Sequence, residues 1–254
     1  MQLKFLSYFI VVTFMIGLSA CQTDELTTSV PSTVPEEPTA SIRVNKEEVA
    51  PKVSEARNLA ALIPEGWQQL VRQSRPEMVE GDLNKDGIQD VAMVIEQLSN
   101  KDQAPKRALV IGFGNSDNTY TRSIIADKAI LKADEGGIWG DPLAGINIDR
   151  GTVVISFYGG SNDRWYGKYR FRFQDEDWYL IGATVGSYFS GTMTETTGDE
   201  EDYNLLTGDY VKRIVDDPKA EKITSHTITG NMGKKKLLKL SDFVATGSTD
   251  QFLK

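Results

Sequence analysis

Gly81-Asp82-Leu83-Asn84-Lys85-Asp86-Gly87-Ile88-Gln89-Asp90 runs without a break into Val91-Ala92-Met93-Val94-Ile95, and the reading of this junction decides the fold. Oxygen-bearing side chains alternate at Asp82, Asn84 and Asp86, a glycine follows, and a further carboxylate comes at Asp90. With the main-chain carbonyl of Ile88 added, this is how a short loop wraps oxygens around a hard cation such as Ca²⁺. Gly87 permits the sharp bend that a residue with a Cβ would resist. The same residue types also make plain polar turns through their own hydrogen bonds, so a metal-free turn is the competing reading. An EF-hand would place a bidentate Glu where Met93 stands and would continue as a helix. Residues 91–95 are instead short, apolar and partly β-branched, which predicts a buried strand.

The loop, together with Ala108-Leu109-Val110-Ile111-Gly112-Phe113-Gly114-Asn115-Ser116-Asp117-Asn118-Thr119-Tyr120, resembles one FG-GAP (VCBS-type) repeat, the calcium-loop unit of integrin-α-like β-propellers. The resemblance covers residues 78–125 and implies Ca²⁺ held by Asp82, Asn84, Asp86, Ile88 and Asp90, in a structural rather than a catalytic role. The loop motif occurs once in the chain, whereas a propeller is built from repeated units, so a full propeller is not expected. The whole pattern is also similar to uncharacterised bacterial lipoproteins carrying a single such repeat, a kinship that implies no activity.

At the start, Met1-Gln2-Leu3-Lys4 and the apolar stretch 5–18 have the make-up of a secretory signal, too short for a comfortable membrane span. Leu18-Ser19-Ala20-Cys21 resembles the bacterial lipobox, which implies cleavage after residue 20 and lipidation of Cys21. Cys21 is the sole cysteine, so no intrachain disulfide is possible. Several acyl chains on one residue anchor far better than one, each buried methylene contributing about 0.8 kcal/mol. The expected address is the cell envelope, with the membrane as a partner through Cys21. In a double-membraned cell the resemblance favours the outer membrane, since Gln22 and not Asp follows the cysteine, and Asp24-Glu25 resembles a surface-export signal. Residues 21–50 are then a Thr/Ser/Pro/Glu tether that cannot bury enough apolar surface to fold.

Residues 51–254 are long enough for one domain with its own core. Ser54-Glu-Ala-Arg-Asn-Leu-Ala-Ala-Leu62 reads as a helix capped by Ser54. Strands follow: 107–113 and 119–125 as a hairpin, a pair about Asp149-Arg150-Gly151, and 168–173 turning at 174–177 into 178–185. Tyr169, Phe171 and Phe173 alternate with Lys168, Arg170 and Arg172, one face buried and one wet. The three cations either pair with acids across the sheet or form a small anion-binding strip. Residues 187–203 read as a long surface loop ending in Asp199-Glu200-Glu201-Asp202, and 210–215, 222–229 and 234–240 as late strands. The fold class expected is mainly β: a single antiparallel β-rich domain with one N-terminal helix.

The formal charge of −8 moves to −9 once Lys4 leaves with the signal, and an acidic surface repels phosphate backbones, which argues against nucleic acid. With one histidine and an acylated cysteine, a His/Cys zinc site is excluded and no nucleophilic triad is visible. Paired carboxylates of the glycosidase kind remain open, with Asp163 and the acidic run 199–202 as suspects. Trp139, Trp165 and Tyr166 lie among glycines and polar residues, where rings can stack on a glycan or clasp an envelope protein, or else plug the sheet ends. The function expected is an anchored, calcium-stabilised binding module; the alternatives are a carboxylate hydrolase and a structural envelope-assembly protein.

Overall fold

The computed structural model describes residues 58–98, 103–246 and 249–253. The signal segment, Cys21, the tether and residues 54–57 of the expected helix lie outside them. Every described element belongs to the compact unit Val53–Lys254. What is described of the N-terminal helix is a four-residue 3-10 turn, Leu59–Leu62, capped not by Ser54 but by Asn58, whose side chain accepts from the Ala60 N–H. A short helix α1, Asp250–Leu253, stands at the other end.

Between these the chain is antiparallel β. A five-stranded sheet contains β1 (Trp67–Gln69), β4 (Met78–Gly81), β5 (Asp90–Gln97), β6 (Arg107–Gly114) and β7 (Tyr120–Ala126), in the order β1-β5-β6-β7. Both β1 and β4 pair with β5, at opposite ends of it, and the small ribbon β2 (Val71–Arg72) with β3 (Arg75–Pro76) interrupts them. The second sheet is a seven-stranded meander in chain order. Its strands are β8 (Leu143–Asp149), β9 (Thr152–Gly160), β10 (Asp163–Gln174), β11 (Asp177–Phe189), β12 (Asp199–Asn204), β13 (Asp209–Val215) and β14 (Ser225–Asn231). Two-residue turns with positive φ at Arg150/Gly151 and Asp175/Glu176 join β8 to β9 and β10 to β11, the geometry that suits the strands' right-handed twist.

The sheets share one core. Ala92, Val94, Leu109 and Ile111 from the first meet Val153, Ile155, Tyr169, Phe171 and Trp178 from the second. The Trp178 indole N–H donates to Ser123 Oγ at 3.0 Å, tying β11 to β7. The alternation expected in β10 holds: Tyr169 and Phe171 are buried, while Arg170 pairs with Asp149 at 2.8 Å. The other side of β5, Val91, Met93 and Ile95, is covered by Leu59, Leu62 and Trp67, so β5 is buried on both faces as its uninterrupted apolar run predicts. Leu62 fits only because position 112 is glycine, where a Cβ would stand 2.6 Å from Leu62 Cδ1. Gly112→Ala is therefore expected to destabilise by about 1–3 kcal/mol through overpacking, read as a lowered urea midpoint with unchanged slope.

The acidic stretch departs from expectation. Residues 187–203 are not one long loop: β11 runs on to Phe189, and Asp199–Asn204 is a strand between β11 and β13. The strand is held by Tyr203, buried at 2 % exposure, and by cross-strand cations, Lys212 to Glu201 at 3.3 Å and Arg213 to Glu200 at 3.5 Å. Residues 234–240 form no regular strand, only main-chain bonds from Leu180 N–H to Leu238 O and from Leu240 N–H to Trp178 O.

Candidate functional site

The Asp82–Asp90 loop is wound around its own oxygens. Asp82 Oδ1 accepts from Lys85 N–H at 2.6 Å and Oδ2 from Gly87 N–H at 3.1 Å. Asn84 Oδ1 accepts from Asp86 N–H at 3.0 Å, and Asp86 Oδ1 from Ile88 N–H at 2.7 Å. Lys85 and Gly87 take the positive φ values that such winding needs. Asp90 is set apart. It is fully buried, with Oδ2 accepting from Leu83 N–H (2.8 Å) and Asn84 N–H (3.2 Å) and Oδ1 from Gly114 N–H (2.9 Å). Burial pushes its carboxyl above the usual 3.8, and the three backbone donors offset only part of that rise.

Asp82 and Asp86, exposed, and Asn84, partly buried, carry oxygens of the kind a hard cation takes, and the Asn84 amide N–H already donates to Asp86 at 2.9 Å. Among the described residues no three His, Cys, Asp or Glu side chains form a metal-holding group. In residue type alone the loop suits a hard cation, while Asp90, fully buried with both oxygens on backbone donors, closes the loop onto β6.

A second arrangement was less visible in sequence. Trp165 and Tyr166, expected in a turn-like setting, stand inside β10, on opposite faces of the strand. Trp165 lies over Gly159 of β9 and Tyr166 over Gly186 of β11, where a Cβ would come within 2.6 and 2.3 Å of the rings. Tyr210 likewise covers Gly230, its partner in β14. The Tyr166 hydroxyl donates to Glu200 at 2.7 Å, and burial together with that carboxylate pushes the phenol well above its usual range.

Register then lines up the inner face. Trp165 is across from Ser187, which is across from Asp199; Gly167 is across from Val185, then Glu201, then Lys212. Trp165, Val185, Asp199 and Glu201, with Leu131 and Glu135 from the segment before β8, line a cavity of about 740 Å³. That is within the usual range for a small-molecule site, and its lining mixes an aromatic ring, aliphatic side chains and carboxylates. The acidic run and two of the three sequence-selected aromatics thus meet in one place. No protein family, characterised protein or solved structure matches the chain.

Trp139 is not part of this cavity. It lies in the 3-10 turn Gly137–Trp139, edge-on to Tyr158 at 5.6 Å with the Arg164 guanidinium 4.0 Å above its ring, and more than half exposed. Asp163 also lies apart, at the exposed start of β10. His226 is exposed and bonds Asp216 at 2.6 Å, away from Ser225 chemistry. The strand period in Asp199-Glu200-Glu201-Asp202-Tyr203-Asn204 was the available signal: it puts Asp199, Glu201 and Tyr203 on one face.

Proposed function

We propose that the β-rich unit is a binding module of the cell envelope, tethered through a lipidated Cys21, stabilised by Ca²⁺ at the 82–90 loop, and holding its ligand in the cavity beside Trp165. The observation that carries this reading is the convergence of Trp165 with Asp199, Glu201 and Glu135 around that cavity. The seven-stranded sheet supplies a rigid platform, and exposed Ser187 and Asp199 leave the mouth open to solvent. In a ligand panel of oligosaccharides, peptides and small charged compounds, at least one class is expected to bind in calorimetric titration. Ser187→Leu, which plugs the mouth at an exposed position, is expected to abolish that response with the melting temperature unaltered. A panel with no response, or a response surviving the plug, refutes the module.

For the ion, Asp82, Asn84, Asp86 and the Ile88 carbonyl would hold it, with Asp90 bracing the loop, and it would neutralise the loop's carboxylates. An ion bound only by the folded state raises stability by about 2.7 kcal/mol at a hundredfold excess over its Kd. The melting temperature is therefore expected to rise with Ca²⁺, to fall on chelation, and to lose this dependence in Asp82→Ala. Identical melts with Ca²⁺ and with chelator would remove calcium from the reading.

A second reading is favoured by one observation. Asp199 and Glu201 sit two apart on one strand face and both line the cavity, and a pair of carboxylates is what a glycosidase needs. Turnover of a glycan lost in both Asp199→Asn and Glu201→Gln would establish it. Against it stands the engagement of Glu201 by Lys212 and by the Tyr203 hydroxyl.

A further inference from the structure

We propose that β14 is a docking edge for a second copy of this chain, the two β14 strands pairing antiparallel about a two-fold axis at Ile228 and joining two seven-stranded sheets into one. β14 ends its sheet, and among the described residues no strand pairs with its outer side. All of Ser225–Asn231 is exposed except Gly230, which is half-buried. The direction of its main-chain groups follows from the bonds just past its two ends. Asp216 N–H donates to Thr224 O at 3.0 Å and Met232 N–H to Gly208 O at 2.9 Å, so Thr224 and Met232 both turn polar groups toward the β13 side. In an antiparallel ladder that orientation returns at every second residue, and the β13–β14 register has no shift. His226, Ile228 and Gly230 therefore bond to β13, whereas Ser225, Thr227, Thr229 and Asn231 point their N–H and C=O groups off the sheet.

The other edges of the two large sheets are blunted. β1 and β4 are only three and four residues long. The register of β7 against β6 shifts, and the Leu59–Leu62 turn lies beside that strand. The register of β8 against β9 shifts as well, β8 lies beside β4, and side chains occupy its main-chain groups: Arg72 donates to the Leu143 carbonyl, and Glu77 Oε1 accepts from Ile146 N–H at 3.2 Å. Short strands, bulges and covering groups are the usual guards against edge pairing, as are lysine and proline. β14 has none of these. It is seven residues long, in unbroken register, without Lys or Pro, and β-branched at Thr227, Ile228 and Thr229.

A second copy is the occupant that fits this edge. Pairing about Ile228 sets Thr227 across from Thr229 of the second copy and Ser225 across from its Asn231, so every outward residue meets an outward residue. Ile228 then meets its own counterpart at a non-hydrogen-bonded position, where side chains come closest. It is 40 % exposed in the single chain, and this pairing covers it. Thr–Thr neighbours favour such a ladder, and within Ser225–Asn231 no charge is set against a like charge. The flanks are complementary too. Residues 216–222, ahead of β14, hold Asp216, Asp217 and Glu221 against Lys219 and Lys222, whereas Lys234, Lys235 and Lys236 follow it. Antiparallel pairing brings the acidic end of each copy to the basic end of the other. A foreign strand could use the same main-chain groups, but it has no built-in match to this register or to these ends.

One paired strand is small beside a standard interface, so a reversible, concentration-dependent dimer is expected. Sedimentation velocity of the purified protein should show monomer passing to dimer as concentration rises. Ile228→Lys, at an exposed position, sets two like charges at the axis and is expected to leave monomer throughout. Thr229→Pro removes an outward N–H that β13 does not use and is expected to do the same; if it lowers the melting temperature, Ile228→Lys decides alone. Cross-linking reads the register. Under mild copper-catalysed oxidation Ile228→Cys is expected to give a disulfide-linked dimer above the background of the parent, whose sole cysteine is Cys21. Counterparts at a non-hydrogen-bonded position stand about 4.5 Å apart at Cα, within disulfide reach. Thr227→Cys and Thr229→Cys, each two residues out of step with its own counterpart, are expected to cross-link far more slowly. Monomer at every concentration overturns the proposal, even if an unrelated extended peptide binds the edge. So does a dimer that survives Ile228→Lys, and equal cross-linking at 227, 228 and 229 rejects the axis at Ile228.

Discussion

Asp90→Ala is expected to cost about 3–5 kcal/mol of folding free energy, the largest effect of any single loop substitution. The carboxylate is fully buried and accepts from three backbone N–H groups, two within its own loop and one, Gly114, at the end of β6. Alanine leaves all three donors orphaned in the interior, and each unsatisfied buried group costs about 1–3 kcal/mol before relaxation. Asp90→Asn tests the mechanism more finely. It keeps one acceptor oxygen but turns an amide donor toward backbone donors, so a smaller loss, about 1–3 kcal/mol, is expected. Equilibrium urea unfolding followed by circular dichroism reads both. A cost for Asp90→Ala under about 1 kcal/mol would mean that the loop is not pinned to β6 in this way.

Arg107→Ala is expected to destabilise by a similar amount, about 3–5 kcal/mol. Arg107, 4 % exposed at the start of β6, grips Asp141 with two parallel bonds of 2.7 and 2.8 Å. Removing the guanidinium strands a half-buried carboxylate, and lysine cannot restore the fork. The pair also fixes the segment ahead of β8 that contributes Leu131 and Glu135 to the cavity, so ligand affinity is expected to fall with stability. The pH dependence has a definite sign. Burial raises the Asp141 carboxyl, but the bonds from Arg107 and the Leu143 N–H outweigh it and hold the group below 3.8. Its stabilising contribution is therefore present above the unfolded value of 3.8 and is lost as pH falls from there through the lower folded value. Asp141→Asn should flatten that part of the acid unfolding profile; an unchanged profile would contradict the assignment.

The strands were legible wherever side chains alternate or run apolar. The run 91–95 and the 168–173 alternation gave both position and facing, and the glycine-containing turn at Asp149-Arg150-Gly151 gave a hairpin boundary. The 199–204 strand was hidden because its apolar content is a single tyrosine, so its period of two is written in carboxylates. Trp165 and Tyr166 looked turn-like because Gly159, Gly160 and Gly167 surround them. In the fold those glycines are strand positions, two of them lying beneath rings of β10. The cavity depends on which residues of four different strands stand abreast, a property of sheet register that no local window contains. In the described part of the 54–62 stretch, Leu59–Leu62 is a 3-10 turn with Asn58 in the capping position.

Rings laid over glycines in Trp165/Gly159, Tyr166/Gly186 and Tyr210/Gly230 have an effect on how the meander assembles. A slip of one residue would set Tyr166 against Val185 or Ser187 and Tyr210 against Thr229 or Asn231, side chains over which a ring cannot lie as it does over glycine, whereas Trp165 would meet Tyr158 in one direction and Gly160 in the other. Misaligned hairpins are thereby penalised as they form, in both directions at two of these junctions and in one direction at the third. The pairs act as proofreading marks that steer a chain of consecutive hairpins away from shifted, aggregation-prone alignments.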